Sequence, residues 1–291
     1  MITVIGSVNM DLITSTKQHP AIGETVLGER FAISPGGKGA NQATAVARLG
    51  EHVQLVGRIG KDEFGRAIYE QLHQESVNVD DVRAVEEHTG IASITVQNND
   101  NSIIVVPGAN FTWAATDAEA YRSVIKNATT LLLQLEVPIP FVEEVVRIAW
   151  EEKTTTILNP APAQRLPEKM IDRVDYLTPN ELECKALFNL AAEEAVEKYP
   201  NKLIVTKGKD GAMFHDGNER IIVSSFRTNG VDSTGAGDTF NGAFAVALNT
   251  DQTLRECIAF ANAAASLSIE KSGAQAGMPT ATQVWERLGT K

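Results

Sequence analysis

A glycine-rich segment that ends in a carboxylate holds the residues best suited to chemistry in this sequence. Residues 228–245 read TNGVDSTGAGDTFNGAFA, and a helical pattern of apolar residues begins at Thr239. Glycines at a helix start expose backbone N–H groups that bind anions, and the helix dipole strengthens the attraction. The carboxylate of Asp238 lies at the same place and would repel an anion. The segment therefore predicts that the backbone N–H groups bind an anion and that Asp238 binds a different group of the ligand.

Phosphoryl transfer is a reaction that uses both groups. The N–H groups of Ala236 and Gly237 would hold the charge on the transferring phosphoryl group, and Asp238 would face the attacking hydroxyl. The transition state of this reaction is loose, so the acceptor's proton leaves late and positioning matters more than basicity. The helix N-terminus favours an ionised Asp238 at neutral pH. The alternative is that Asp238 and Thr239 only cap and open the helix.

A second glycine-rich helix start lies at residues 34–43, which read SPGGKGANQA. Its glycines allow a ligand to approach the backbone closely, and Asn41 lies in the first helical turn. The segment is not a dinucleotide-binding fingerprint, because the first strand and its turn, VIGSVNMD, contain only one glycine. GKDGAM lacks the ending of a Walker A motif. The sequence therefore disfavours a nicotinamide oxidoreductase and predicts that phosphate is held by another arrangement.

Polar residues also follow the strand-like runs at the point where each run ends. These residues are Asn9, Asp11, Glu136, Asn159, Asn180 and Glu183. Any one of them is consistent with an ordinary turn. Ligands of α/β sheets bind beyond the carboxyl ends of the strands, so the accumulation predicts a binding site at that edge.

The elements that would position these residues alternate along the chain. Strand-like runs lie at 2–6, 53–59, 130–136, 155–159, 174–178 and 202–206. Helical patterns lie near 39–49, 63–76, 116–127, 140–152, 181–188 and 239–249. The strand runs are almost continuously apolar, which is typical of strands buried on both faces. The pattern predicts an α/β fold with a mostly parallel central sheet covered by helices on both faces.

A different pattern interrupts the alternation. The β-prone runs 90–97 and 102–107 flank NNDN without an intervening helix, and 10–16 and 26–33 are also short and β-prone. We expect these four runs to form a small antiparallel sheet, inserted into a single domain of residues 1–291 and acting as a lid. The alternative is that two of them are extra edge strands of the main sheet.

Composition excludes several classes of function. The 291 residues are 43% hydrophobic and 22% charged, with a net charge of −11 and a pI of about 5.0. Such a chain has no basic surface for nucleic acid or for an anionic membrane. Neither a leader sequence nor an apolar run of membrane-spanning length is expected. Cys184 and Cys257 lack metal-type spacing, so we expect reduced, buried thiols and a cytoplasmic protein.

Seven motifs, in order, resemble those of the PfkB carbohydrate-kinase family. They are NMD, GGKGAN, QLE, NPAPA, TPNELE, TKG-x-x-G and VDSTGAGDTFNGAF. The resemblance runs from residue 1 to about 280, and the last motif is highly specific to the family. It implies transfer of the γ-phosphate of ATP to a sugar hydroxyl.

The choice of acceptor depends on the second motif. GGKGAN, rather than the GGAPAN typical of fructose kinases, favours the 5-hydroxyl of ribose, giving ribose 5-phosphate. A kinase for deoxyribose, fructose or a nucleoside is the nearest alternative. A non-catalytic sugar or nucleotide sensor is disfavoured, because a sensor needs neither a base nor a metal organiser.

The resemblance also assigns residues to the reacting groups. Asp238 corresponds to the catalytic base, and Gly235, Ala236 and Gly237 correspond to the anion hole. The sugar-binding positions are Asn9, Asp11, Gly37, Lys38, Asn41, Glu136 and Asp238. The nucleotide-binding positions are Asn180, Thr206, Lys207, Gly208, Gly211, Gly237 and Asn262. Lys38 as a solvated loop lysine, Asn262 as a water-facing helix residue and Glu183 as a surface residue remain alternatives.

Two kinds of metal ion and a dimer are implied in the same way. Asn180 and Glu183 correspond to an N-x-x-E pattern that organises Mg²⁺ through water. A site for a monovalent cation, at which K⁺ would activate turnover, is implied at Asp232, Thr234, Ser268, Lys271, Gly273 and Gly277. The alternative is that Asp232 only hydrogen-bonds its own turn. Family members often carry Ser where this chain has Gly277, and 189–201 is short for the helix-bearing segment expected there. The lid sheet is expected to form a homodimer interface.

Overall fold

The computed structural model describes residues 1–97 and 100–289. The strands are β1 (Ile2–Ile5), β2 (Asn9–Thr16), β3 (Gly28–Gly36), β4 (Val53–Gly60), β5 (Asn78–Val85), β6 (Gly90–Gln97), β7 (Asp100–Val106), β8 (Thr130–Leu133), β9 (Thr155–Leu158), β10 (Tyr176–Leu177), β11 (Val205–Thr206), β12 (Ala212–His215) and β13 (Arg220–Val223). The helices are α1 (Lys38–Arg48), α2 (Glu63–Gln74), α3 (Arg122–Asn127), α4 (Ile139–Glu152), α5 (Glu168–Arg173), α6 (Glu181–Phe188), α7 (Ala192–Lys198), α8 (Ala236–Leu248), α9 (Leu254–Ser268) and α10 (Ala281–Leu288).

A parallel sheet of six strands forms the centre, in the order β10-β9-β8-β1-β4-β5. Both of its faces are covered. On β8, Leu131 and Leu133 pack into one hydrophobic cluster with Phe141, whereas Leu132 packs into the opposite cluster with Phe244. Successive residues of a strand point to opposite faces, so a run of adjacent leucines stabilises both layers. The predicted fold class is confirmed.

The central sheet is extended by a short antiparallel sheet that the sequence patterns did not predict. β11, β12 and β13 pair in that order, and isolated parallel bridges join Leu177 to Leu203 and Asn180 to Thr206. The predicted strands 174–178 and 202–206 are therefore present only as two-residue strands and bridges. Edge pairing this short leaves little apolar periodicity to detect.

The four β-prone runs form a separate sheet, in the order β3-β2-β6-β7. The alternative that they extend the main sheet is therefore wrong. The outer pairs are antiparallel, but β2 and β6 pair in parallel from Asn9 opposite Gly90 to Ser15 opposite Val96. The reason is that β2 follows β1 and β6 follows β5, two parallel strands of the central sheet. The expected turn residues 98 and 99 lie outside the described residues.

Two helical segments considered in the sequence analysis differ from expectation, and the helices α5 and α10 were not predicted. The predicted helix 116–127 is a 3₁₀ helix over Ala115–Tyr121 followed by the short α3. The segment 189–201 retains a helix, α7, of only 7 residues. In the part of the chain that the structure describes, no helix combines the length and the apolar character that crossing a membrane requires.

Candidate active site

The ends of β1 and β8 are joined to the start of α1 by the side chain of Glu136. Its Oε2 accepts a hydrogen bond from the Ser7 hydroxyl at 2.6 Å and another from the Lys38 backbone N–H at 3.1 Å. The carboxylate therefore satisfies one of the N–H groups that a helix start leaves without a partner. A Cβ on Gly37 would lie 2.7 Å from the backbone nitrogen of Asn9. The two predicted sugar-binding segments are thus in close contact.

Asp238 lies in the first turn of α8 but does not cap that helix. The N-cap residue is Gly235, whose φ of 77° is a left-handed conformation that favours glycine. Asp238 is only 6% exposed. Its Oδ2 accepts a hydrogen bond from Nδ2 of Asn41 at 3.0 Å, and its Oδ1 accepts one from Nε2 of Gln42 at 3.1 Å. The interpretation of Asp238 as a helix cap is therefore wrong.

The helix N-terminus was expected to favour the ionised form of Asp238. The surroundings of Asp238 instead raise its pKa. Burial raises the pKa of Asp238 above its usual range, and the nearby carboxylate of Glu136 adds to this effect. Lys38 and the hydrogen bonds from Asn41 and Gln42 lower the same pKa. A carboxylate with a raised pKa is better matched to accepting a proton near neutral pH.

Lys38 lies among three carboxylates. Burial opposes its charge, but the fields of Asp238, Glu136 and Glu183 outweigh burial and raise the pKa of Lys38 above its ordinary value. Lys38 lines the same cavity as Asp238. The alternative of a solvated loop lysine is therefore wrong.

Asn9 is oriented by a residue that the sequence patterns did not single out. Nδ2 of Asn110 donates to Oδ1 of Asn9 at 2.7 Å and to the Val8 carbonyl at 3.1 Å, and Oδ1 of Asn110 accepts from the Val8 N–H at 2.8 Å. The oxygen of Asn9 is thereby engaged, so Asn9 presents its NH₂ group to a ligand. Asn110 follows β7 in the sequence PGAN, the same kind of strand-end signal that identified Asn9.

Asp11 is buried on β2 near two other carboxylates. Burial raises the pKa of Asp11 to about 7, and the charges of Glu136 and Asp238 contribute in the same direction. An ionised carboxylate only accepts hydrogen bonds, so its natural partners are the hydroxyls of a ligand. Near pH 7, a ligand rich in hydroxyl groups would favour the ionised form.

Two cavities meet at the start of α8. The smaller has a volume of about 340 Å³, and its lining includes Lys38, Asn180, Glu183 and Asp238. The larger has a volume of about 1020 Å³, and its lining includes Thr206, Gly208, Gly211, Phe226 and Asn262. Gly237 lines both. Among the described residues outside its own helical turn, no atom lies within 4 Å of a Cβ placed on Gly237, so the glycine leaves its backbone open to a ligand rather than serving the packing.

The backbone amides at the start of α8 differ in their availability. The N–H of Ala236 donates to the Ser233 carbonyl at 3.2 Å. Within residues 1–97 and 100–289, the N–H groups of Gly237 and Asp238 have no backbone acceptor. The backbone N–H groups open to an anion at this helix start are therefore those of Gly237 and Asp238, one residue further along than the predicted pair Ala236 and Gly237, because a turn engages the Ala236 amide.

The residues predicted to bind nucleotide are only partly brought together. Lys207 directly follows the strand β11 and is not among the described residues that line the larger cavity. Its Nζ lies 2.9 Å from Oε1 of Glu181 and 3.3 Å from Oε1 of Glu193. These carboxylates engage the Lys207 side chain outside the larger cavity, and nucleotide binding by Lys207 stays a prediction.

Asn262 lies on α9 and lines the larger cavity. It is buried, and its Nδ2 donates to the Val223 carbonyl at 2.8 Å. The alternative of a water-facing helix residue is therefore wrong.

Asn180 and Glu183 form a reciprocal cap at the start of α6. Oδ1 of Asn180 accepts from the Glu183 N–H at 2.8 Å, and Oε2 of Glu183 accepts from the Asn180 N–H at 2.8 Å. Glu183 is half-buried and lines the smaller cavity, and burial raises its pKa, so Glu183 is not an ordinary surface residue. Over the described parts of the chain, no three His, Cys, Asp or Glu side chains could together hold a metal ion. The pair fits Mg²⁺ only as an oxygen source that acts beside phosphate and water.

A comparison with protein families establishes the family to which this chain belongs. The family model described as pfkB family carbohydrate kinase matches residues 1–281. The chain belongs to the PfkB family of carbohydrate kinases. It is 45% identical to the ribokinase of Lactococcus lactis subsp. lactis over 289 residues, which cover 99% of this chain and 96% of that protein. It is also 45% identical to the ribokinase of Bacillus subtilis, with 99% of each chain covered. The solved structure of Arabidopsis thaliana ribokinase complexed with ribose and ATP is similar, with a TM-score of 0.91, 35% identity, and coverage of 100% of this chain and 99% of that one.

In this PfkB kinase, part of the expected cation site is held together by Asp232. Its carboxylate accepts hydrogen bonds from the N–H groups of Thr234 and Gly273, both at 2.9 Å. Burial opposes the ionisation of Asp232, but these hydrogen bonds outweigh it and hold its pKa below the ordinary value. Gly277, where family members often carry Ser, is closely packed against the end of α9. A Cβ there would lie 1.8 Å from the Ser268 carbonyl oxygen, so a serine would not fit without movement of the loop.

Proposed function

We propose that this protein transfers the γ-phosphate of ATP to the 5-hydroxyl of D-ribose, giving ribose 5-phosphate and ADP. The observation that carries the proposal is the place of Asp238. It is a buried carboxylate with a raised pKa, beside the open backbone of Gly237, where the two cavities meet. The relatives named ribokinase, and the similar structure that contains ribose and ATP, support the choice of substrates.

The two substrates would approach Asp238 from opposite sides. ATP would occupy the larger cavity beside Asn262, with its phosphates reaching Gly237. Ribose would lie against Asn9, Asp11 and Asn41, which offer amide and carboxylate partners to its hydroxyls. Holding the acceptor oxygen in line with the γ-phosphorus contributes much of the rate enhancement of such a reaction.

Asp238 would orient the 5-hydroxyl and take its proton as the oxygen–phosphorus bond forms. The bond from the γ-phosphorus to the bridging oxygen breaks, and ADP leaves with that electron pair. The N–H groups of Gly237 and Asp238 would stabilise the charge on the transferring phosphoryl group. Lys38 carries a positive charge into the same cavity and would balance the added negative charge.

Mg²⁺ is proposed beside the phosphates, near Asn180 and Glu183. When bound, it would neutralise phosphate charge in the transition state. Asn180 and Glu183 hold one another through their mutual cap and line the smaller cavity. Their role would be to fix waters around the ion, since Mg²⁺ retains several waters in such sites.

The acceptor is tested by measuring ADP release with a panel of pentoses, hexoses and nucleosides. We expect D-ribose to have the highest kcat/KM, and loss of its 2-hydroxyl to lower that value because buried polar partners are left unpaired. A preference for deoxyribose, fructose or a nucleoside would change the assigned acceptor but not the assignment of the protein as a kinase. Binding of sugar without ADP release under any condition would instead support the sensor.

We predict that the use of ribose depends on the charge of Asp11. Its pKa is raised to about 7, so Asp11 is ionised above pH 7 and becomes protonated as the pH falls through that value. The ionised form accepts hydrogen bonds from ribose, so KM for ribose should rise below pH 7, while KM for ATP changes little.

The Asp11→Asn variant should have a higher KM for ribose at every pH and should lose most of the dependence between pH 6 and 8. Asp80→Asn makes the same change at an exposed position and serves as the control. If the Asp11→Asn profile parallels that of the wild type, the assignment of Asp11 to the sugar is wrong.

The inserted sheet is proposed to close over the sugar and to pair with a second copy. Asn9 and Asp11 belong to its strand β2, so the sheet supplies the sugar site directly. On its other strands, Phe31, Ile33 and Ile104 are 64%, 52% and 69% exposed, which is unusual for side chains of this size. A homodimer would bury them. Light scattering that finds only a monomer at micromolar concentration would contradict the dimer.

A monovalent cation is proposed in the loop beside Gly235, with Asp232 and Thr234 on one side and Ser268, Lys271, Gly273 and Gly277 on the other. Within that loop, the Val231 N–H donates to the Ile269 carbonyl at 2.7 Å, which brings the two sides together. K⁺ would act through preorganisation of the phosphate-binding backbone. We expect K⁺ to raise turnover over tetramethylammonium at constant ionic strength, and the effect to be lost in Asp232→Ala. Turnover that does not depend on which cation is present would contradict the proposed cation site.

A cytoplasmic location is proposed from the thiols. Cys184 and Cys257 are free and buried, and burial raises the pKa of each to about 11, so neither is a reactive or bridging cysteine.

A further inference from the structure

A chain of three side-chain amides ends on the carboxylate of Asp238. Nε2 of Gln71 donates to Oε1 of Gln275 at 3.0 Å, and Nε2 of Gln275 donates to Oδ1 of Asn41 at 2.9 Å. Nδ2 of Asn41 then donates to Oδ2 of Asp238 at 3.0 Å. We call Gln71, Gln275 and Asn41 the amide chain. It connects α2, the loop after α9 and α1 to the proposed base.

The direction of these hydrogen bonds is fixed by the last member. An ionised carboxylate has no proton to donate, so Asn41 must turn its NH₂ group toward Asp238. Its carbonyl oxygen then faces Gln275 and needs a donor there. Asn41 is buried, and leaving its side-chain carbonyl without a partner would be costly. A donor at position 275 therefore stabilises the orientation in which Nδ2 of Asn41 faces Asp238.

Gln275 is itself held at a fixed position. Its backbone carbonyl accepts a hydrogen bond from Nη1 of Arg48, and Arg48 makes two hydrogen bonds to the carboxylate of Glu75, at 2.6 and 2.8 Å. The neighbouring Ala274 packs against Gly235, the N-cap of α8. One loop thus contacts both the helix start that carries Asp238 and the amide that contacts its carboxylate.

We propose that Gln275 is a positioning residue, which keeps the Asn41 amide turned so that Nδ2 faces Asp238. The effect on turnover rests on the proposed function, whereas the hydrogen-bond geometry does not. Gln275 touches neither cavity's proposed ligand and acts only through Asn41. Asp238 would accept two amide donors in the free protein, one from Asn41 and one from Gln42.

Other charged groups also face Asp238 from the elements around it. They are Lys38 of α1, Asp11 of β2, Glu136 after β8 and Glu183 of α6. Substitutions at position 275 leave all four in place. If an uncharged substitution at position 275 changes the pKa of Asp238, the change therefore reports that Nδ2 of Asn41 no longer faces Asp238.

The test uses Gln275→Met and Gln275→Glu in the full chain. Methionine keeps the volume and removes the donor. Glutamate also removes the donor and requires one itself, so the Asn41 amide should turn over and present its oxygen to Asp238. The titration of Asp238 is followed in the ligand-free protein by carboxyl ¹³C NMR, with the resonance assigned by its loss in Asp238→Asn.

We expect the apparent pKa of Asp238 to rise by about one pH unit in Gln275→Glu, and by less in Gln275→Met, from the loss of a hydrogen bond to a charged group. On the acid limb of the pH profile, turnover should fall by up to about tenfold in Gln275→Glu, with that limb moved to higher pH and KM for ATP unchanged. Gln71→Met removes the outer donor and should give a smaller shift in the same direction. Gln74→Glu is a charge-matched control at an exposed position of α2 and should not change the titration.

Folded Gln275 variants in which Asp238 titrates as in the wild type would overturn the proposal, even if their melting temperature falls. If Gln275→Glu does not fold, Gln275→Met and Gln71→Met decide the same question. A shifted titration in a protein that phosphorylates no acceptor would retain the positioning role and reject the proposed function.

Discussion

Asp238→Asn should lower turnover by about 10²–10⁴-fold, because the variant can neither take the acceptor's proton nor attract its hydroxyl as a charge does. The side chain keeps its shape, and its environment supplies partners for a neutral amide after local reorientation of Asn41 or Gln42. KM for ATP should change little, since the nucleotide cavity is lined mainly by other residues. The measurement is steady-state ADP release with ribose and ATP varied separately.

Asp251→Asn is the matched control for this substitution. Asp251 is exposed and lies just beyond the C-terminal end of the same helix, so its loss of charge should leave turnover unchanged. An Asp238→Asn variant that melts like the wild type and retains its turnover would contradict the role of Asp238 as base.

Gly237→Ala should separate activity from stability. A Cβ at this position would lie more than 4 Å from every described residue outside its own helical turn, and alanine is a better helix former than glycine, so the melting temperature should be unchanged or slightly higher. The added methyl group would project where both cavities meet and would keep the phosphate away from the backbone N–H groups. We expect kcat to fall by about 10²-fold, the size of effect found when one donor to a transition-state anion is lost.

Gly242→Ala provides the contrast on the same helix. Its Cβ would lie 2.7 Å from the Cβ of Ala45 on α1, so this variant should lose stability through packing. A Gly237→Ala variant that binds and turns over ATP normally would mean that the phosphate does not approach α8 at this point.

The order of the main elements could be predicted because it depends on local patterns. The helix expected at 181–188 is observed as α6 with the same bounds, and the first apolar run is the strand β1. The ends of parallel strands collect at one edge, so Asn9, Asp11 and Glu136 could be assigned to one region without knowledge of any contact.

Elements with weak or unusual patterns were missed. β5 reads NVDDVRAV, and as an edge strand it buries only part of its length, so no clear alternation appears. The hairpin of β12 and β13 does carry a signal, because Asp216 and Gly217 stand between its strands. These turn residues would have allowed the hairpin to be predicted.

The contacts that orient the site could not be predicted, because they join distant segments. Asn41 and Asp238 are 197 residues apart in the chain, and Asn41 and Gln275 are 234 residues apart. Hydrogen bonds between buried amides leave no periodic pattern in the sequence. The engagement of the Ala236 amide by Ser233 depends in the same way on the turn that precedes α8.

Whether Asp238 promotes phosphorylation of ribose at its 5-hydroxyl is tested most directly by the position of the phosphate in the product. The wild-type protein and Asp238→Asn are incubated with D-ribose, ATP, Mg²⁺ and K⁺, and the products are examined by ¹³C NMR. We predict phosphorus coupling at C5, one ADP for each phosphorylated ribose, and almost no product with Asp238→Asn over the same time. Phosphorus coupling at another carbon, or equal product from both proteins, would contradict the account.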